Sequence, residues 1–213
     1  MPPEAKTPLD TFVSILENLD RDGAVSYALS LLDGGRLTLP ELYEQVLAPA
    51  LNRIQVPRER EDALIWREHL QSAIVQKVMG ACYPHVQKAR EASGAPGKGK
   101  RVMLACPQEE YHEIGVSMGA DFFVILGYEV AYVGCNTPRD TLLSAAENLK
   151  PDLVVLSVTN YLNLAQLPVL ITALKERRPE AKVMLSGSAL RHTGRSAADF
   201  HADGAVQSFE DVR

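Results

Sequence analysis

The residues best placed to do chemistry lie in Glu110-Tyr111-His112-Glu113-Ile114-Gly115, which follows the apolar run Arg101-Val102-Met103-Leu104-Ala105. An imidazole two residues after a carboxylate and three before a glycine is arranged like a metal ligand whose other ring nitrogen has a hydrogen-bonding partner. Cys82, Cys106 and Cys135 are odd in number and include no C-x-x-C pair. That suits reduced thiols better than a disulfide framework or a zinc site. Cys106 and Cys135 follow the first and second predicted strands and could border a ligand, although small apolar filler is the plainer reading. His85, His192 and His201 have no motif around them, so solvent or ordinary hydrogen bonding is their default. No nucleophile–base pair or carboxylate dyad stands out, and catalysis by protein side chains is not expected.

For His112 to act, a fold must present it at an accessible edge. After residue 100 the pattern alternates, predicting strands at 101–105, 128–133, 152–157, 182–186 and 204–207. Helices are predicted at about 113–126, 138–149, 164–177 and 194–201, with the closing helix short or missing. Continuous apolar runs such as Leu153-Val154-Val155-Leu156 mark strands covered on both faces. The expected fold is α/β, a flavodoxin-like (Rossmann-like) five-stranded parallel sheet. Its ligand crevice would be built from loops at the strands' carboxyl ends, which places His112 on the first of them. The others read Gly134-Cys135-Asn136-Thr137-Pro138, Ser157-Val158-Thr159-Asn160 and Ser186-Gly187-Ser188. They are small and hydroxyl-rich, leaving room for a bulky ligand near the backbone.

Before residue 92 the pattern is helical, with four amphipathic segments that predict a four-helix bundle cap ahead of the sheet. Leu9, Phe12, Ile15 and Leu16 mark the first; Ala24, Tyr27, Ala28 and Leu31 mark the second. Thr38, Pro40 and Glu41 signal the capped start of the third, and the fourth runs from about Arg58 to Ala92. The Gly-, Pro- and Lys-rich stretch 93–100 reads as a linker, giving a bundle over 1–92 and an α/β domain over 101–213.

Composition removes several function classes. Hydrophobic residues at 46% and charged residues at 23% are ordinary for a soluble globular chain. A net charge of -5 leaves no electrostatic footprint for nucleic acid. No apolar stretch approaches the roughly 20 residues of a membrane span, so a cytoplasmic protein without a membrane partner is expected. There is no G-x-x-x-x-G-K-[ST] loop, and no G-x-G-x-x-G follows the first strand. The first three strand-end loops lack the aspartate of a phosphoacceptor.

Taken together, Glu110-x-His112-x-x-Gly115, Ser157-x-Thr159 and Ser186-Gly187 resemble the motifs of the cobalamin-binding domain family, each on its expected strand end. That family carries [D/E]-x-H-x-x-G, S-x-[L/T] and GG, so Ser186 stands where its first glycine often lies. The resemblance implies that His112 is the lower axial ligand of cobalt, with Glu110 on its second ring nitrogen. The cofactor's nucleotide tail would thread past the serine and glycine positions; His192 follows that loop, but solvent or ordinary hydrogen bonding stays its plainer reading.

The helical half, through Leu42-Tyr43, Pro49-Ala50-Leu51-Asn52-Arg53-Ile54 and Glu68-His69-Leu70, resembles the bundle of CarH-type cobalamin photoreceptors. By that resemblance Glu68 and His69 face the upper ligand, adenosylcobalamin or methylcobalamin being the implied cofactor. That subgroup has a tryptophan ten residues before the Glu-His pair; here the position is Arg58, and the only tryptophan is Trp66. Trp66 either substitutes at the ligand or packs in the core, and core packing is the plainer reading.

The first helical pattern starts at Leu9, so no DNA-binding module and no direct DNA contact are expected. The implied function is a stand-alone cobalamin sensor or transcription regulator, light-responsive through the cobalt–carbon bond and signalling through homo-oligomer assembly or a regulatory protein partner. The alternatives are a corrinoid carrier for methyl transfer and a haem-binding sensor on the same fold, because imidazole suits both metals.

Overall fold

The computed structural model describes residues 6–54 and 61–213, apart from the side chains of 61–63, 191 and 192. The expected start of the fourth helix at Arg58 lies outside the described residues. The chain divides between Ala89 and Arg90 into two compact units.

In the first unit, helix α1 (Pro8–Glu17) starts where the Thr7 hydroxyl accepts from the Asp10 N–H and Pro8 supplies a preset φ. Helix α2 (Arg21–Asp33) is capped by Asp20 and ends at Gly34, with Gly35 at φ 63° turning the chain away. Helix α3 (Leu39–Leu42) opens with the expected Thr38–Glu41 capping box. It continues through a π-helical turn, Tyr43–Leu47, into α4 (Ala48–Arg53). Pro49 explains the π turn: it has no N–H for an i→i−4 bond, and widening the preceding turn absorbs the misfit. Tyr43, Val46, Leu47 and Phe12 are fully or almost fully buried around it.

Helix α5 (Glu61–Ala92) buries Ile74, Val75, Val78, Met79, Cys82 and Val86. Spacings of three and four keep these on one stripe. From Leu64 to Leu70 no residue is buried. Trp66 is 50% and Leu70 46% exposed, so the plainer core-packing reading of Trp66 does not hold.

The second unit is a five-stranded parallel sheet in the order β2-β1-β3-β4-β5, the expected flavodoxin-like arrangement. The strands are β1 (Arg101–Pro107), β2 (Glu129–Thr137), β3 (Leu153–Ser157), β4 (Lys182–Ser186) and β5 (Gly204–Ala205). Strand alternation sorts the core into two layers. Met103, Ala105, Val154, Leu156, Val183 and Leu185 face α7 (Arg139–Leu149) and α8 (Leu167–Arg177). Val102, Leu104, Cys106 and Val155 pack with Val116 and Phe123 of α6 (Ile114–Ile125).

Two predicted helices differ. The segment expected from 164 begins as a 3₁₀ turn, Tyr161–Gln166, before α8. In place of a helix over 194–201 stand α9 (Ala189–Thr193) and a 3₁₀ turn, Ala197–Phe200. Gly194 at φ 64° separates them, a conformation that ends a right-handed helix. The closing helix α10 (Phe209–Val212) is present and short.

Candidate functional site

The site begins where β1 ends. The β1–β2 register pairs Leu104 with Tyr132, Ala105 with Gly134 and Pro107 with Thr137, so β2 gains one extra residue at each of two steps toward its end. Gly134 (φ 113°) and Asn136 (φ 47°) take the positive φ values of these irregular steps. Asn136 then clamps the turn after β1: its N–H donates to the Glu110 carbonyl at 2.8 Å, and its side-chain oxygen accepts from the Glu109 N–H at 2.9 Å. Glu110 is thereby turned inward and fully buried, while the side chain of His112 remains 61% exposed.

Both carboxylate oxygens of Glu110 are engaged. Oε1 meets His112 Nδ1 at 2.5 Å and accepts from the His112 backbone N–H at 3.2 Å. Oε2 accepts from the N–H groups of Thr159 at 2.9 Å and Asn160 at 2.8 Å, and from Asn163 Nδ2 at 3.2 Å. Burial by itself would raise the pKa of this carboxyl; the bonds from His112, Asn160 and Thr159 outweigh it and hold the pKa at about 2. A carboxylate so fixed orients the imidazole through Nδ1 and leaves the lone pair on Nε2.

The neighbouring groups are quieter. Cys106 is fully buried and its thiol points to the His112 carbonyl at 3.8 Å. Burial, with the nearby Glu110, Cys135 and Glu113 charges, pushes its pKa up to about 12, so it is a neutral thiol serving as packing. Tyr132 donates its hydroxyl to Glu113 at 3.3 Å.

The second cluster of motif residues lies at the ends of β3 and β4. Ser157 pairs in register with Ser186, and the Val158 N–H donates to the Ser186 carbonyl at 2.9 Å. Gly187 sits at φ 88°, and a Cβ there would stand 2.3 Å from the Val158 carbonyl oxygen. Only glycine fits that close backbone approach. Ser186 lines a narrow cavity of about 60 Å³ with Gly115, Val116 and Gly119 of α6 and with Gln207 and Ser208. A Cβ on Gly115 or Gly119 would meet nothing within 4 Å, so both glycines open onto free space.

The structure therefore joins Glu110, His112 and Thr159 by hydrogen bonds and places Ser157, Ser186 and Gly187 at adjoining strand ends, with Gly115 on the cavity wall. Trp66, Glu68 and His69 lie on α5 in the helical unit, where Trp66 and His69 are exposed. Glu68 lines a cavity of about 380 Å³ with Glu17, Arg53, Arg67 and Gln71. His192 and Arg58 lie outside what is described of side chains.

Sequence reasoning missed Asn163 and the roles of Gln207 and Ser208. Asn163 sits inside Tyr161-Leu162-Asn163-Leu164, which reads as the start of a helix, and nothing in that pattern marks it as a partner of Glu110.

The donor set decides what this site can hold. Among the described residues no group of three or more His, Cys, Asp and Glu side chains could hold a metal ion. A single imidazole cannot sequester a bare ion, but it suits a metal that arrives with its other coordination positions filled by a macrocycle. Gly115 and Gly119 at the start of α6 leave open space beside the strand ends.

Comparisons with known proteins agree in kind. The B12 binding domain family matches residues 100–212. The HTH-type transcriptional repressor CarH of Myxococcus xanthus is 28% identical over 183 residues, 85% of this chain and 58% of that protein. The HTH-type transcriptional repressor CarA of the same organism is 34% identical over 91 residues, 43% of this chain and 29% of that protein. The chain thus spans less than two thirds of either relative. The monomethylamine corrinoid protein of Methanosarcina barkeri superposes with a TM-score of 0.77 at 14% identity, covering 96% of this chain and 94% of that one.

Proposed function

The chain belongs to the B12-binding domain family and its cofactor is cobalamin, and from that premise we propose that it is a cobalamin-dependent sensor in which His112 is the lower axial ligand of cobalt. The observation that carries this reading is the lone imidazole, ring-exposed and fixed through Nδ1 by a fully buried carboxylate. When bound, the cofactor supplies a cobalt–carbon bond that light or chemistry can break.

The chain's own residues do the rest. Glu110 fixes the tautomer and orientation of His112, leaving Nε2 to bind metal. Gly115, Gly119 and Ser186 line the space for the nucleotide tail, and Gly187 keeps the β4 loop close against β3. On α5, Trp66, Glu68 and His69 are the candidate contacts to the upper ligand, adenosyl or methyl. A helical unit that responds to loss of that ligand is the two-state element a switch requires.

Sensing is favoured over methyl carriage because the match to the CarH repressor runs through 85% of this chain, helical part included. In this reading the protein acts in the cytoplasm, as a regulator of transcription through its own assembly or a protein partner. The corrinoid carrier is the second reading, supported by the fold shared with the monomethylamine corrinoid protein.

The test loads the protein with adenosylcobalamin or methylcobalamin and records absorption and oligomer mass in darkness and after illumination. A light-dependent change in both is expected. His112→Ala is expected to change the dark spectrum and weaken binding about 10- to 100-fold. Bound cobalamin with no light response, together with methyl exchange in the presence of a methyltransferase, would favour the carrier.

A further inference from the structure

The strands that end beside the narrow cavity carry two serines on the same side. Alternation along β3 and β4 puts Ser157 with Val155, and Ser186 with Met184, on the face that packs against α6. The register pairs Ser157 directly with Ser186, as the last step of the β3–β4 ladder. Ser157 is 3% exposed, and Ser186 stands in the cavity wall with Leu104, Val155 and Gly119. Among the described residues neither hydroxyl hydrogen-bonds to a backbone or side-chain group. Their neighbours on the wall are engaged. Ser208 Oγ accepts from the Asp211 N–H at 3.2 Å, and the Gln207 amide donates to the Gly187 carbonyl at 3.2 Å. The two strand-end hydroxyls thus keep their bonding capacity for whatever enters.

We propose that Ser186 is a specificity-determining residue of this cavity, extending its range from cobalamin to corrinoids whose tail ends in an aminopurine. This rests on the reading of the cavity as the seat of the nucleotide tail. A hydroxyl offers one donor and two acceptor sites. The dimethylbenzimidazole of cobalamin, once off the metal, has one free ring nitrogen and no N–H, so one serine is enough for it. The neighbouring hydroxyl is then cut off from water with nothing to bond, which works against binding. An adenine in the same place adds further ring nitrogens as acceptors and an amino group as donor, so both hydroxyls of the pair find partners. A site built with such groups favours the ligand that can bond them over one that cannot. Where the resembling motif has glycine, with no side chain, this chain has the hydroxyl that shifts the balance toward the purine.

The test measures dissociation constants by titration calorimetry of the cofactor-free protein. The ligands are cobalamin, its analogue with adenine as the tail base, and diaquacobinamide, a corrinoid without a nucleotide tail. The unmodified protein is expected to bind the adenine analogue at least as tightly as cobalamin, and weaker binding of the analogue overturns the proposal. Ser186→Ala is expected to lower the affinity ratio of the adenine analogue to cobalamin about tenfold. A ratio within twofold of that of the unmodified protein overturns the proposal.

If Ser186→Ala does not fold, Ser186→Gly removes the same hydroxyl and supplies the motif's usual residue. It is expected to shift the ratio in the same direction, and an unshifted ratio in the folded Ser186→Gly protein overturns the proposal equally. Gly119→Leu separates the two readings, because it fills the cavity from α6. It is expected to weaken cobalamin about tenfold more than diaquacobinamide. If it weakens both alike, the tail-seat reading falls and this inference with it. If it weakens cobalamin selectively while the Ser186 variants leave the ratio unshifted, this inference alone falls.

Discussion

A buried charge is costly unless every lone pair is occupied, and Glu110 meets that condition with five hydrogen bonds from His112, Thr159, Asn160 and Asn163. The consequence is a pH dependence with a definite sign. The ordinary carboxyl value is 4.5 and the folded value about 2, so the unfolded chain binds the proton more readily. Stability from this group is full above about pH 4.5 and is lost as pH falls toward 2. Glu110→Gln is expected to cost about 3 kcal/mol at neutral pH, because it replaces acceptors with donors beside N–H groups. It should also flatten the acid limb between those two pH values. Urea denaturation of the cofactor-free protein from pH 2 to pH 7 measures both, and an unchanged acid limb would falsify the assignment.

At the scale of elements, legibility followed the length over which a pattern runs. The five strands could be read because 101–105 and 153–156 are unbroken apolar runs that only a doubly covered parallel sheet accommodates. The third helical segment could be read from Thr38, Pro40 and Glu41, whose chemistry is local. The helix expected over 194–201 could not, because a single glycine at positive φ outweighs a short run of helix-compatible residues. Trp66 was misjudged for a different reason: periodicity says which residues share a face, not how far along a 32-residue helix that face is covered.

In the site, Glu110 and His112 were legible as neighbours in sequence, whereas Asn163 lies 53 residues from Glu110 and only the folded sheet joins them. Gly187 illustrates the same limit, since its need for glycine comes from the carbonyl of Val158, just past the end of β3. Gly187→Ala combines an unfavourable φ with that overlap and is expected to destabilise the protein by about 2–4 kcal/mol. The shift should appear in the denaturation midpoint with little change in slope. A loss below about 0.5 kcal/mol would show that the loop relaxes freely.

For the whole molecule, the sheet unit assembles the Glu110–His112 pair before any cofactor arrives. Folding itself brings the loop after β3 onto the turn after β1, so His112 is oriented in the cofactor-free chain. The cavity beside Ser186 is in the opposite condition. Its volume of about 60 Å³ makes it narrow, and the tail of the cofactor is expected to widen it on entry. One wall is the segment Val206–Val212, latched by the Gln207 amide on the Gly187 carbonyl at 3.2 Å and by Phe209 set edge-on against Phe122 at 5.2 Å.

Encounter and accommodation should therefore separate in time. In stopped-flow mixing, diaquacobinamide is expected to bind in a single phase whose rate rises with concentration. Cobalamin should add a slower, concentration-independent phase as the wall yields to its tail, and a single second-order phase for both would mean the cavity opens freely. That slow phase would make the protein respond to sustained cofactor supply and pass over brief fluctuations, a timing property set by one short helix at the end of the fold.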